Sequence, residues 1–231
     1  MKLNRLCSRL VRGLWYFPKT LYLNFKVLPV KKAVKLPFVV MGRCCLRGVN
    51  SKSVKLEGPV HRFMIHFGTQ KTAKRGLPVN RTTYVLIDSG GTIIFKGGAT
   101  FAKGSSICAS GGTIVFGDRF SCNVNCFFYC KKHIEFGTDD LLGWDIKIRD
   151  NDGHPMYDRE HVRINPDADI VFGDHVWVGS YADILKGVSI ADGTVIATRS
   201  LVTKSNCEEN AVIAGVPAKV VKRDVFWEHD V

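Results

Sequence analysis

The chain carries seven histidines among its 231 residues. A neutral imidazole is well suited to take a proton from a hydroxyl near neutral pH. His154 is the first candidate for that chemistry. It stands in Asp150-Asn-Asp-Gly-His-Pro155, inside a polar stretch over about 149–169 that has few apolar residues to bury. Such a stretch projects from a core, so His154 reads as an accessible imidazole; the competing reading is a solvated loop histidine. His133 and His175 adjoin Ile-x-Phe triplets and read as surface residues. His61 and His66 are five apart, a spacing that invites a zinc reading, but no third histidine falls in register with them. Cys122, Cys126 and Cys130 form Cys-x3-Cys-x3-Cys, which suggests either a metal site or buried structural thiols.

The elements that must position these groups are set by a repeat. Ile-x-Phe occurs at 65–67, 93–95, 114–116, 134–136 and 170–172, and glycine follows in four of the five. Inside these units a period of six appears. Phe172, Val178, Ile184, Ile190, Ile196 and Val202 are large and apolar. Four residues after each come Val176, Ala182, Val188, Thr194, Ser200 and Asn206, all small or medium. The ladder also runs Phe95, Phe101, Ile107; Phe116, Cys122, Phe128; and Phe136, Leu142, Ile148. Six is not a helical period. It fits short strands joined by tight corners, three strands per coil, with alternate residues inward. Cys122 falls on the large inward position and Cys126 on the small one, so the cysteines read as core. Phe95, Phe116, Phe136, Phe172 and Ile190 are expected to stack along one interior edge.

Composition is ordinary for a globular chain, at 45% hydrophobic and 23% charged. The charge is unevenly placed. Residues 1–56 hold 13 Lys or Arg and no acid, whereas the rest has 20 basic and 21 acidic residues. Residues 1–35 read as a basic amphipathic helical segment, with Leu3, Leu6, Leu10, Leu14, Phe17 and Leu21 three or four apart and Pro18 and Pro29 dividing it. Two uses fit it: an arm packed on the main domain, or a peripheral contact with an anionic membrane. Nucleic acid is not expected, because the arm has no recognition motif. The absence of an apolar leader core and of a spanning-length apolar run points to a cytoplasmic chain with reduced thiols.

The run from Phe172 to Gly193, Phe-Gly-Asp-His-Val-Trp-Val-Gly-Ser-Tyr-Ala-Asp-Ile-Leu-Lys-Gly-Val-Ser-Ile-Ala-Asp-Gly, then Val202-Thr-Lys and Ala214-Gly-Val-Pro-Ala-Lys219, resembles the hexapeptide-repeat acyltransferases. Within them it is similar to the maltose and galactoside O-acetyltransferases and the bacterial polysaccharide O-acetyltransferases, over roughly 90–222. The resemblance implies an all-β, left-handed parallel β-helix over 36–213, following the basic segment 1–35 and carrying the loop 149–169. It also implies an extension over 214–231 with a short C-terminal helix. It implies a homotrimer with acetyl-CoA in the cleft between neighbouring prisms.

Residue by residue, the resemblance makes His154 the general base. Asn123, in Ser121-Cys-Asn-Val-Asn125, matches the Asn that positions the acceptor and stabilises charge near the thioester. The matched acetyl-CoA positions are Trp177, Ser180, Thr198, Thr203, Lys219 and Lys222, the two lysines facing nucleotide phosphates. The chain departs from the pattern at Ser121, where some relatives have Tyr, and at Thr198-Arg199, where relatives often have Ala-Gly. The implied reaction moves acetyl from acetyl-CoA to a saccharide hydroxyl in surface polysaccharide biosynthesis, with no metal. The alternatives are an N-acyltransferase on an amino-sugar, a γ-class carbonic anhydrase-like metalloenzyme using His61 and His66, and a non-catalytic β-helix scaffold.

Overall fold

The computed structural model describes residues 2–69 and 81–229, with side chains from Trp15 onward. The side-chain pattern read at Leu3, Leu6, Leu10 and Leu14 lies outside the described residues. Short strands wind into a three-faced coil. One turn of it is Phe120–Cys122 on face A, Phe127–Cys130 on face B and His133–Glu135 on face C. Each strand pairs in parallel with its equivalent one coil on, as in Ser121↔Leu141, Phe128↔Ile148 and Ile134↔Ile170. Among the described residues face A has nine strands, face B seven and face C six.

The six-residue period is the cause of this winding. Its large members point inward and stack coil upon coil. Phe95, Phe116, Phe136 and Phe172 form a ladder with ring centroids 5.5, 5.3 and 4.8 Å apart. Ile190 pairs with Phe172 and continues it. The small members Val176, Ala182, Val188, Thr194, Ser200 and Asn206 are all buried. Cys122, Cys126 and Cys130 are inward and buried too. Cys126 Sγ donates to Gly143 O at 3.2 Å and Cys130 Sγ to Thr113 O at 3.3 Å. Burial pushes the Cys130 thiol up, which suits a core group and not a nucleophile.

The N-terminal segment forms α1, Lys2–Val27, and α2, Val30–Ala33. α1 runs through Pro18 and is not divided there as the sequence suggested. The following turns are pinned to the coil: Thr20, Leu23, Asn24 and Val27 are buried. That packing outweighs the hydrogen bond lost at proline. α1 closes the end of face A. Asn24 Oδ1 accepts from Phe38 N–H at 3.1 Å, Asn24 Nδ2 donates to Phe38 O at 2.8 Å, and Thr20 Oγ1 accepts from Val40 N–H at 3.0 Å. The first strand therefore has no open edge at these groups. Among the described residues, no helix is long and apolar enough to cross a membrane.

The C-terminal helix expected over 214–231 is absent from the described residues. Val212–Gly215 and Ala218–Lys222 form an antiparallel hairpin on the last coil instead, turning at a cis Val216–Pro217 bond. Val220 and Val221 favour strand, and their strand pairs with Val212–Gly215 of the last coil. Beyond the hairpin, Trp227 is buried against the coil.

Candidate functional site

The corners from face A to face B place the groups around Asn123. Gly104, Asn125, Asp145, Tyr181 and Arg199 occupy equivalent corners of successive coils, all with left-handed backbone. A Cβ at Gly104 would meet Asn125 Oδ1, so glycine there leaves room for the Asn125 side chain. Asn123 is half-buried just before its corner and donates through Nδ2 to Leu142 O at 3.1 Å. Asn125 Nδ2 donates to Asp145 Oδ1 at 3.1 Å, while Asn125 Oδ1 is buried with no hydrogen-bond partner among the described residues. Beside this corner row lies an open groove of about 500 Å³, lined by Arg81, Ser106, Asn125, Asp145, Lys147 and Tyr181 among others. The sequence reading singled out none of these six. The signal was present: the corner residues fall three after each large face-A residue, at Cys122, Leu142, Val178 and Ile196.

His154 lies on the other side of face B. The coil leaves Lys147–Arg149 on face B, makes the excursion over 149–169 and rejoins face C at Ile170–Phe172. The base of the loop is clamped. Asp150 accepts backbone N–H groups from Lys131, Lys132 and His133, and Ala168 N–H bonds to Asp150 O at 3.0 Å. The His154 side chain is exposed, and no hydrogen bond holds its ring among the described residues. The Lys186 ammonium, 2.6 Å from Asp152, holds that carboxyl below its usual range. Within one chain His154 and Asn123 thus stand at different corners, with face B between them.

The expected cofactor residues divide. Trp177, on face A and 40% exposed, pairs in register with Val195. Ser180 and Thr198 follow at the A-to-B corner of consecutive coils, where Ser180 Oγ accepts from Trp144 N–H at 3.2 Å. The hairpin that carries Lys219 and Lys222, both exposed, extends face A beyond them. These five lie on face A or at the corner that follows it. Thr203 does not join them: it is exposed at the B-to-C corner, on the His154 side.

One set of three potential metal-ligand groups occurs among the described residues: Asp139, His175 and His229. His175 is half-buried at a C-to-A corner, with Nδ1 2.8 Å from Asp139 Oδ2 and Nε2 2.9 Å from Trp227 O. Its ring stacks on Trp227 at 4.0 Å, and Trp227 Nε1 donates to His175 O at 2.9 Å. Burial alone would raise Asp139, but bonds from Arg119 and His175 outweigh it and hold the carboxyl low. With both ring nitrogens already facing protein acceptors, this group fastens the C-terminal tail. His61 and His66 are not part of it.

The fold and the sequence both resemble those of the hexapeptide-repeat acyltransferases, and the architecture is the all-β, left-handed parallel β-helix of that class. No protein-family model matches the chain. The chain is 33% identical over 127 residues to the polysialic acid O-acetyltransferase of Escherichia coli O1:K1 / APEC, covering 54% of this chain and 41% of that protein. It is 32% identical over 115 residues to the galactoside O-acetyltransferase of Escherichia coli K12, covering 48% of this chain and 55% of that one. The matches thus span about half the length of these relatives. Among solved structures, the crystal structure of the polySia-specific acetyltransferase NeuO superposes with a TM-score of 0.54 at 26% identity, over 84% of this chain and 89% of that one.

Proposed function

We propose that this chain is an O-acetyltransferase that moves acetyl from acetyl-CoA to a hydroxyl of a saccharide acceptor, in bacterial surface polysaccharide biosynthesis. The observation that carries the reading is the exposed, unbraced imidazole of His154 on a loop that leaves an otherwise continuous coil. The similarity to enzymes named as saccharide O-acetyltransferases supports it. His154 Nε2 or Nδ1 takes the acceptor's proton as its oxygen attacks the thioester carbonyl, and the CoA thiolate leaves. Asn123 steadies the acceptor and the developing oxyanion. Trp177, Ser180 and Thr198 seat the pantetheine arm, and Lys219 and Lys222 face the phosphates. Thr203, at the other corner, meets the donor only across a chain boundary.

His154 and Asn123 serve one reaction if neighbouring chains supply them. In a homotrimer, the B-to-C loop of one chain meets the A-to-B corner of the next, and the acetyl-CoA cleft lies between. A cytoplasmic enzyme at the inner face of a membrane fits the basic helix α1, whose Trp15, Tyr22 and Phe25 are exposed. The test is direct. Purified protein, acetyl-CoA and a panel of saccharides are assayed for free thiol, and the products are weighed by mass spectrometry. A gain of one acetyl per sugar, released by mild alkali as an ester is, supports the proposal. Thiol release without acetylated sugar, or an alkali-stable amide product, overturns it.

A further inference from the structure

The loop over 149–169 contains one buried polar side chain whose bonds all point at the segment carrying His154. We propose that Asn165 is the positioning residue for His154, with Asp152 and Lys186 linking it to the body of the coil; this rests on His154 being the general base. Asn165 lies on the returning limb. Its Nδ2 donates to His154 O at 2.9 Å and to Asp152 Oδ2 at 2.9 Å, and its Oδ1 accepts from Met156 N–H at 2.6 Å. Residues 152, 154 and 156 are alternate positions of the outgoing limb. A single amide therefore fixes three successive groups on one side of it.

Burial separates this from an ordinary loop contact. Asn165 is 4% exposed, whereas every residue from 152 to 157 is exposed. A buried amide is costly unless its hydrogen bonds are made, so this one specifies a single arrangement of the two limbs. The arrangement is tied downward. Lys186 Nζ, from the coil beyond the loop, donates to Asp152 Oδ2 at 2.6 Å and to Pro166 O at 3.0 Å. A continuous path thus runs from the coil through Lys186, Asp152 and Asn165 to the His154 carbonyl. The His154 ring has no brace of its own, so its reach depends on where the backbone is held. Pro155 adds to this by restricting His154 to extended backbone.

The experiment uses the full-length protein and two variants. Asn165→Ala removes all three bonds. Asn165→Asp has nearly the same shape and keeps the acceptor for Met156 N–H, but loses both donors and faces Asp152 with a second carboxylate. Both variants should lower kcat by ~10–100-fold while KM for acetyl-CoA changes less than about twofold, as misplacement of a catalytic group predicts. Amide exchange at Met156, whose N–H loses its acceptor, should speed up in Asn165→Ala, which a donor-site effect would not produce. Added to His154→Ala, neither variant should lower the residual rate further, since effects that act through one group do not add. Wild-type kcat in both Asn165 variants, with His154→Ala inactive, overturns the inference. So does an equal further loss in the His154→Ala background, which would mark a general structural defect. Full activity in His154→Ala alone overturns the base assignment itself, and the inference with it.

Discussion

His154 and Asp140 show two ways in which a single ionisable residue departs from the hydrophobic ladder. His154 is outside it and exposed. His154→Ala should lower kcat by ~10²–10⁴ and leave acetyl-CoA affinity, measured by calorimetry, unchanged. A variant with more than half the normal rate would falsify the assignment. Asp140 is inside the ladder, four residues after Phe136, where other coils place Val176 or Phe120. It is fully buried, its Oδ1 accepts from Val176 N–H at 2.8 Å, and its Oδ2 has no partner among the described residues. Desolvation pushes its pKa to about 8 from 3.8, against the lowering effect of its backbone hydrogen bonds. The folded chain then keeps a proton that the unfolded chain releases. Stability from this group is complete below the unfolded pKa and is lost as pH rises through the folded one. The full swing is on the order of 5 kcal/mol. Asp140→Asn should remove this slope, so that the variant melts above the wild type at pH 9 and the gap narrows towards pH 4. Parallel melting curves for the two proteins across that range would sink the assignment.

At the scale of elements, α1 and the coil are one structure. Asn24 is fully buried and pairs with both backbone groups of Phe38. Asn24→Ala leaves that N–H and C=O unpaired in a water-excluded place, at a cost of roughly 1–3 kcal/mol. Chemical denaturation should show the loss at an unchanged denaturant slope; an unchanged midpoint would mean that α1 does not cap the coil. The pairing of Asn24 with Phe38 was not legible in the sequence, because an Asn in a helix gives no sign of the strand it meets. The coil itself was legible. Period six forces a large residue inward at each step, and the Phe95-to-Phe172 ladder follows from counting alone. The His154 loop was legible for the complementary reason: its residues break the period and include few apolar side chains for the coil to bury. Of the groove residues, the corner positions Asn125, Asp145 and Tyr181 follow from the same count, but Arg81 and Lys147 do not, since they meet the corner row only when coils stack. The C-terminal hairpin was hidden by its motif, as Ala214-Gly-Val-Pro-Ala-Lys219 names a family without stating whether its last residues coil or pair.

At the scale of the whole molecule, the basic N-terminal quarter of the sequence also carries exposed aromatic side chains. Residues 1–56 carry 13 basic side chains and no acid. The inner face of α1 is spent on the coil, and its outer face is not. Trp15, Tyr22 and Phe25 are 79%, 53% and 49% exposed, and they fall on one side of the helix at seven- and three-residue spacing. Lys26 lies 5.0 Å over the Tyr22 ring, and Lys31 is exposed beyond it. The two uses weighed for this segment are therefore compatible: one face caps the coil and the other is free to meet an anionic bilayer. Each Lys or Arg near such a surface contributes ~1 kcal/mol, and the aromatic side chains add interfacial burial. A trimer would present three such faces and gain by multivalency. The structure also dictates how to test this. Deleting the segment would strip Thr20, Leu23 and Asn24 from the first coil, and any loss of lipid binding could then reflect unfolding. Trp15→Ser, Tyr22→Ser and Phe25→Ser together alter only the outer face. The intact protein should co-sediment with anionic liposomes at low salt, come off as salt rises, and ignore neutral liposomes. The triple variant should keep the wild-type melting temperature and remain in the supernatant at a salt concentration that still retains the intact protein. Equal binding by both would assign the attraction to charge alone, and no binding by the intact protein would leave α1 as a cap and nothing more.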